Sequence, residues 1–449
     1  MTENELIDTA EKAAKLLNAG NVPAYEIYVR GSASTSVEVK EQKLDAFEQS
    51  ETWGIGIRVL LADGRMGFAY STGSTEAVSE AVAKAAENAA SSEPDGYNNI
   101  PSPPASAYPD FAEFDAGIND ITEQDRIARA MTLEKAALDF DRRVTKVRKS
   151  SASFTEARWA LVSSTGVRAV SKGTYFSCGI MVVAEESGDS QMGYDFDYKR
   201  RGGEIDFARV GRNAAERAVS LLGAKKGPSG LFPVVLDNMV SGEFLGVLAS
   251  SFSAESLLKG KSLFRDKLGK VICSKLINIY DDGLLPGGAG SRAFDDEGMP
   301  SQRTPLMVEG RLTGFLHNSY TAKKSGAVST GNAGRGGFRS QPGVGSTNLY
   351  IEKGSVTPGS IISSVSSGLL VQEVLGMHTA NPISGDFSVG VSGQWIEGGK
   401  VSYPVREMAI SGNILSMFSE VEAIADDLRF AGRLGAPSIL LRPISVSGS

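Results

Sequence analysis

The feature that most limits what this chain can fold into is a change of texture at GAKKGPSGLFP, near residue 224. Beyond it the sequence breaks into short β-branched or apolar runs, FPVVLD, KVICSKLINIYD, SVGVSGQWIEGG and VSYPVREMAI, divided by glycine-containing turns. Many closely spaced strands with one early helix, near residues 241–258, predict an α+β or mainly antiparallel domain. Glycine supplies 51 of the 449 residues, above the ~7% average. Such an excess brings backbone, rather than side chains, close to another group.

The first half has a different rhythm. Thr2 and Glu5 form a T-x-x-E capping box ahead of Leu6, Ile7, Ala10, Ala14 and Leu17, which share one helical face. Tyr25, Ile27 and Val29 then alternate with Glu26, Tyr28 and Arg30, the two-residue period of a half-buried strand, and Thr35, Val37 and Val39 continue it. Asp63-Gly64 between two apolar runs marks a tight hairpin turn. Ala77, Val78, Ala81, Val82, Ala85 and Ala89 form the stripe of a second helix. Pro94, Pro101, Pro103, Pro104 and Pro109, five of the 17 prolines, exclude helix and central strand from the segment that follows. After it, Thr122 and Asp125 cap another helix, RWALVSS, GVRAVSK and TYFSCGIMVVAEE read as a meander, and a helix from Asp206 stops at Gly223. The expected class is α+β, with N-terminal α/β units of hairpin sheets and flanking helices, then a strand-rich, Gly-rich antiparallel domain. The expected organisation is an N-terminal α/β unit (1–93), a Pro-rich linker (94–120), a central α/β unit (121–223) and a C-terminal strand-rich domain (224–449).

Charge excludes some partners. With 46 Lys+Arg against 53 Asp+Glu the net charge is −7, and no basic block exceeds Lys199-Arg200-Arg201, so the clustered positive charge that neutralises phosphates is missing. Nucleic acid is not an expected partner. The acidic, periodic N-terminus and the lack of about 18 consecutive apolar residues argue against a leader or a membrane span, and a cytoplasmic protein is expected. Cys178 and Cys273 lack C-x-x-C spacing and read as reduced, buried thiols.

One segment runs against the overall charge: between Glu309 and Glu352 no acid occurs, while Arg311, Lys323, Lys324, Arg335 and Arg339 do. Its centre, TAKKSGAVSTGNAGRGGFRSQPGVG, has the composition of a loop rich in free N–H groups, suited to gripping a peptide backbone, a carboxylate or a phosphate, and equally of a solvated surface loop. Familiar catalytic signatures fail. His317 and His378 sit in no metal motif and read as structural histidines; a metal hydrolase assembled from them and distant acids is the rival reading. Gly390-Val391-Ser392-Gly393 ends in Gln394 where a nucleophile elbow needs glycine, and Gly260-Lys261-Ser262 lacks the upstream glycine of a phosphate loop. Asp281-Asp282 and Asp295-Asp296-Glu297 have the composition to hold a hard cation or serve a glycosidase, but adjacent acids on Gly-rich loops read first as solvated turn residues.

The stretches FLHNSYTAKKSGAVSTGNAGRGG and GLLVQEVLGMHTANPISGDFSVGVSGQWIEGGKVSYPVREMAISGN resemble the TldD/PmbA family, also labelled modulator of DNA gyrase. GIGIRVLLADGRMGFAYSTG and IYDDGLLPGGAGSRAFDDEG match the same pattern, so the resemblance spans essentially the whole chain. It implies a peptidase that acts on unfolded peptides and works as a heterodimer, in which the TldD-type subunit holds zinc on an H-E-x-x-x-H helix. The corresponding segment here is SGEFLGVLASS, where Glu243 matches but Gly242 and Val247 replace both histidines. The resemblance therefore implies a PmbA/TldE-type subunit with no catalytic residue and no cofactor of its own, the zinc belonging to a TldD-type partner. Asn332, Arg335, Arg339, Asp386 and Ser388 are the candidate contacts to peptide or partner, with free strand edges offering N–H and C=O groups to an extended substrate. A stand-alone peptide- or protein-binding homodimer without catalysis is the other reading.

Overall fold

A computed structural model describes residues 1–105, 107–111 and 114–448; residues 106, 112 and 113 of the Pro-rich stretch lie outside it. The first 200 residues build one sheet from two similar halves. Helix α1 (Glu3–Ala19), strands β1 (Ala24–Lys40), β2 (Lys43–Leu60) and β3 (Met66–Ser71) and helix α2 (Thr75–Ala90) form the first. Helix α3 (Glu123–Leu138), strands β4 (Val144–Ser163), β5 (Arg168–Glu186) and β6 (Asp189–Lys199) and helix α4 (Phe207–Ser220) repeat that order. The strands join as β3-β2-β1-β4-β5-β6, antiparallel throughout, with β1 and β4 meeting at the centre. The segments 1–93 and 121–223, each read from the sequence as its own unit, thus share a single sheet.

Local chemistry explains the helices. Thr2 and Thr122 cap α1 and α3 in reciprocal capping boxes with Glu5 and Asp125, and Asp206 caps α4. All four long helices cover one face of the sheet: α1 and α2 pack on Val29, Ile55 and Ile57, and α3 and α4 on Phe154, Phe176 and Ile180. In each half the edge strand carries a glycine opposite a valine, Gly67 beside Val59 and Gly193 beside Val182. A Cβ on Gly67 would stand 2.1 Å from the Ala85 carbonyl oxygen of α2, and one on Gly193 would stand 2.2 Å from the Ala214 carbonyl oxygen of α4. The helix backbone rests directly on the strand at both places.

The other face is where the structure departs from the sequence reading. Glu26, Tyr28 and Arg30 alternate as a solvated strand face would, yet Glu26 is 1% and Tyr28 2% exposed. The second half of the chain lies over them. There, strand β7 (Gly230–Leu236) leads into helix α5 (Asn238–Ala249), capped by Asp237, whose carboxylate accepts the Val240 N–H at 2.8 Å. β7 belongs to a sheet ordered 400–413, 386–397, 367–375, β7, 439–447, 421–424, in which 367–375 runs parallel to β7 and the other neighbours are antiparallel. Ala409 and Ile410 also pair with Ser447 and Val446, so five strands rejoin in a ring. The ring removes most of the free edge that the sequence reading offered to a peptide. Its interior and the inner face of α5 share one apolar core containing Phe244, Leu248, Val371, Trp395 and Leu441. A smaller sheet of short strands (279–282, 303–308, 311–312, 349–351, 429–431 and 434–436) completes the α+β architecture. No helix among the described residues is long and apolar enough to cross a membrane.

Because backbone blocks both sites, Gly67→Ala and Gly193→Ala should each cost about 1–3 kcal/mol. Gly96→Ala, where nothing lies within 4 Å of the added carbon, should stay within about 0.5 kcal/mol. Urea unfolding of the three variants checks this.

Candidate functional site

Helix α5 follows β7 directly, so Gly242, Glu243 and Val247 sit just beyond a strand of the ring. Gly242 is buried, but a Cβ there would meet no atom within 4 Å. Val247 packs against the apolar core. Neither residue has a donor atom for a metal, and a zinc site needs three or four nitrogen, sulfur or oxygen ligands. Glu243 lies between them, half-buried, with a carboxyl pushed up to about 7 by burial and then by the charges of Asp237 and Glu373. Burial raises Asp237 and Glu373 as well.

The positive charge among these three acids comes from the chain itself. Arg217 of α4 donates from Nη2 to Asp237 Oδ2 at 2.9 Å and from Nη1 to the Gln372 carbonyl oxygen at 2.8 Å. The helix-cap acid is thereby tied to the first half of the molecule. Among the described residues no three His, Cys, Asp or Glu side chains form a group that could hold a metal ion. His317 is buried, and burial lowers its pKa; its backbone N–H donates to Thr330 Oγ1. His378 is exposed on the turn Met377–Thr379.

A second cluster lies where the sheet meets the glycine-rich turns, and here two expectations are overturned. Asp281, Asp295, Asp296 and Glu297 are buried, not solvated. They face inward because the neighbouring turns bring unpaired N–H groups that only buried acceptors can satisfy. Asp295 accepts from the N–H groups of Glu297, Met299 and Ala333, each at 2.9 Å. Asp296 accepts from Arg335 N–H at 2.7 Å, and Asp281 from Thr347 N–H at 2.7 Å and Asn332 Nδ2 at 2.6 Å. The loop expected to carry free N–H groups has therefore lent them to carboxylates. Burial pushes Asp281 up to about 6, and burial with the Glu297 charge raises Asp295.

Arg335 is the plainest correction. Its side chain is fully buried, paired with Glu26, and donates to the carbonyl oxygens of Asp296 (3.3 Å) and Ser340 (3.1 Å), so it presents no charge to a peptide in solution. Glu26 also accepts from Arg58 Nη2 at 2.8 Å, its direct cross-strand neighbour, and the same nitrogen reaches Glu297 at 3.0 Å. Glu297 in turn accepts the Ser319 N–H at 2.9 Å. Four buried ions thus form a chain Glu297–Arg58–Glu26–Arg335. Asn332, bonded to Asp281, is 1% exposed and likewise turned inward. Arg339 is exposed and lies over the Phe338 ring, and Lys323 and Lys324 of the same basic segment are exposed on helix Ser319–Ser325. Asp386 and Ser388 are exposed at the end of strand 386–397, paired with Asn413 and Ser411.

Sequence reading missed Arg58, Glu26 and Phe338. A signal existed in WGIG: Gly54 and Gly56 lie on the same face of β2, and a Cβ on either would stand 2.3 to 2.5 Å from Phe338. Alternate glycines in a strand mark another chain segment lying against it.

Three family descriptions match in succession: PmbA/TldA metallopeptidase domain 1 over residues 25–92, the central domain over 117–222 and the C-terminal domain over 229–448. The metalloprotease PmbA of Escherichia coli O157:H7 is 27% identical over 450 residues, which cover 99% of this chain and 97% of that protein. An uncharacterised protein of Methanocaldococcus jannaschii is 30% identical over 437 residues, covering 95% of this chain and 98% of its own. Among solved structures, a Thermotoga maritima protein named for modulation of a DNA gyrase matches with a TM-score of 0.89 at 25% identity, over 98% of this chain and 99% of that one.

Two measurements follow from the geometry. Arg335→Gln leaves Arg58 as the one buried cation between Glu26 and Glu297 and should cost about 3–5 kcal/mol, whereas Arg339→Gln should stay within about 0.5 kcal/mol; urea unfolding at pH 7 separates them. Glu243 binds its proton more tightly folded than unfolded, so its contribution to stability falls as pH rises from about 4.5 through about 7. Glu243→Gln should therefore gain stability over the parent at pH 8 and lose that advantage at pH 4, read from thermal unfolding across the range.

Proposed function

The chain belongs to the PmbA/TldD metallopeptidase family, and we propose that it is the subunit without metal ligands, pairing with a TldD-type homologue to cleave unfolded peptides. The observation that carries this reading is the chemistry of α5. At the two histidine positions of H-E-x-x-x-H stand a glycine and a valine, and the glutamate between them faces Asp237, Glu373 and Arg217. A carboxyl held at about 7 beside two other acids and an arginine has an electrostatic role inside the subunit. Zinc does not fit the residues on this helix, so no catalytic step is assigned to Glu243.

In this reading the chain supplies shape and surface, and the homologue supplies the metal-bound water that attacks a peptide bond. The exposed side chains best placed to meet a partner or a peptide are Arg339, Lys323 and Lys324 on the basic segment and Asp386 and Ser388 at the strand end. Attraction of an acidic peptide by the three cations would act on the association rate and weaken with salt.

The test is cleavage of an unstructured reporter peptide by this chain, by a TldD-type homologue and by their mixture, each with and without a zinc chelator. Activity confined to the mixture and abolished by chelation is expected. Chelator-sensitive cleavage by this chain alone would overturn the assignment.

A further inference from the structure

Between the outer face of the long sheet and the glycine-rich turns lies a cavity with about 70 Å³ open to water. At ~10–15 Å³ for each water position that is room for a small polar group and too little for a length of chain. Its charge is unusual for a molecule with a net charge of −7: five arginines line it against one carboxylate, Asp296.

Most of those cations already have partners. Arg335 is taken up by Glu26, Arg292 lies 3.2 Å from Asp296, and Arg200 turns Nη1 toward the carbonyl oxygens of Ala289 and Ser291. Arg30 and Arg433 have no carboxylate within ion-pair distance among the described residues. Arg30 stands directly across the β1–β4 pair from Trp159, which also lines the cavity and is 7% exposed. The indole N–H of Trp159 has no acceptor among the described residues, nor has Nε of Arg292. A buried N–H without an acceptor costs as much as a lost hydrogen bond. Arg30 is hydrogen-bonded to Tyr28 but, like Arg433, has no carboxylate partner; two such cations and unpaired donors around a small space call for an anionic acceptor.

We propose that this cavity binds a compact oxyanion, a carboxylate or phosphate group, held by the guanidinium groups of Arg30 and Arg433 and by the Trp159 indole N–H. The site is independent of the metal-free assignment of α5 and of any partner subunit. Of these lining residues Arg433 is exposed, Arg30 half-buried and Trp159 buried.

Isothermal titration of the full chain in a chloride buffer tests it, with sodium phosphate, with N-acetyl-dialanine bearing a free carboxylate, and with the amide of that dipeptide. Saturable binding of phosphate, of the free-carboxylate dipeptide or of both is expected, with none of the amide. Binding should weaken at least about tenfold in Arg30→Gln and in Arg433→Gln. The second variant changes an exposed side chain, so its unfolding temperature should match the parent's. Phosphate alone would identify a phosphoryl ligand, and the dipeptide alone a peptide terminus. No saturable binding of either oxyanion, or equal binding by the parent and both variants, would overturn the proposal.

Discussion

One guanidinium shared between two carboxylates governs how the halves of this molecule meet. Arg58 reaches Glu26 on its own sheet and Glu297 on the turn that covers it, and Arg335 closes the series from the far side of Glu26. Taking four charges out of water is costly, and the mutual attraction offsets that only when every member is in place with its hydrogen bonds made. Such a chain adds less to net stability than to register. It allows the glycine-rich turns to settle on the sheet in one position.

The same logic explains why the acids of 281 and 295–297 face inward. Tight glycine turns leave backbone N–H groups pointing into the junction, and a carboxylate accepts two or three of them at once. Asp295 does this for Glu297, Met299 and Ala333. The turns are thus tied together by acceptors in side chains where a sheet would use carbonyl oxygens. At α5 the arrangement is comparable: Asp237 both caps the helix and holds Arg217, so α5 is anchored to the first half by an internal salt bridge.

What the sequence made legible was local. Capping boxes at Thr2 and Thr122, the period of β1, the turn at Asp63-Gly64 and the early helix of the second half all rest on residues within a few positions of one another, and all are present. The junction was not legible, because its partners are far apart in the chain: Glu26 and Arg335 are separated by 309 positions. A strand reading Glu-x-Tyr-x-Arg on one face looks solvated until something covers it. Asp295-Asp296-Glu297 looks like a surface turn for the same reason.

The doubled αβββα plan has a consequence for synthesis. β1 pairs with β2 on one side as soon as both exist, but its other side waits for β4, which begins more than 100 residues later. At ~5–20 residues per second the ribosome leaves that 17-residue edge uncovered for several seconds or more. The strand that finally covers it comes from a half built to the same plan, so an identical strand on a neighbouring nascent chain offers a similar surface. Crowded polysomes are where such a chain is most exposed to pairing with the wrong copy of itself.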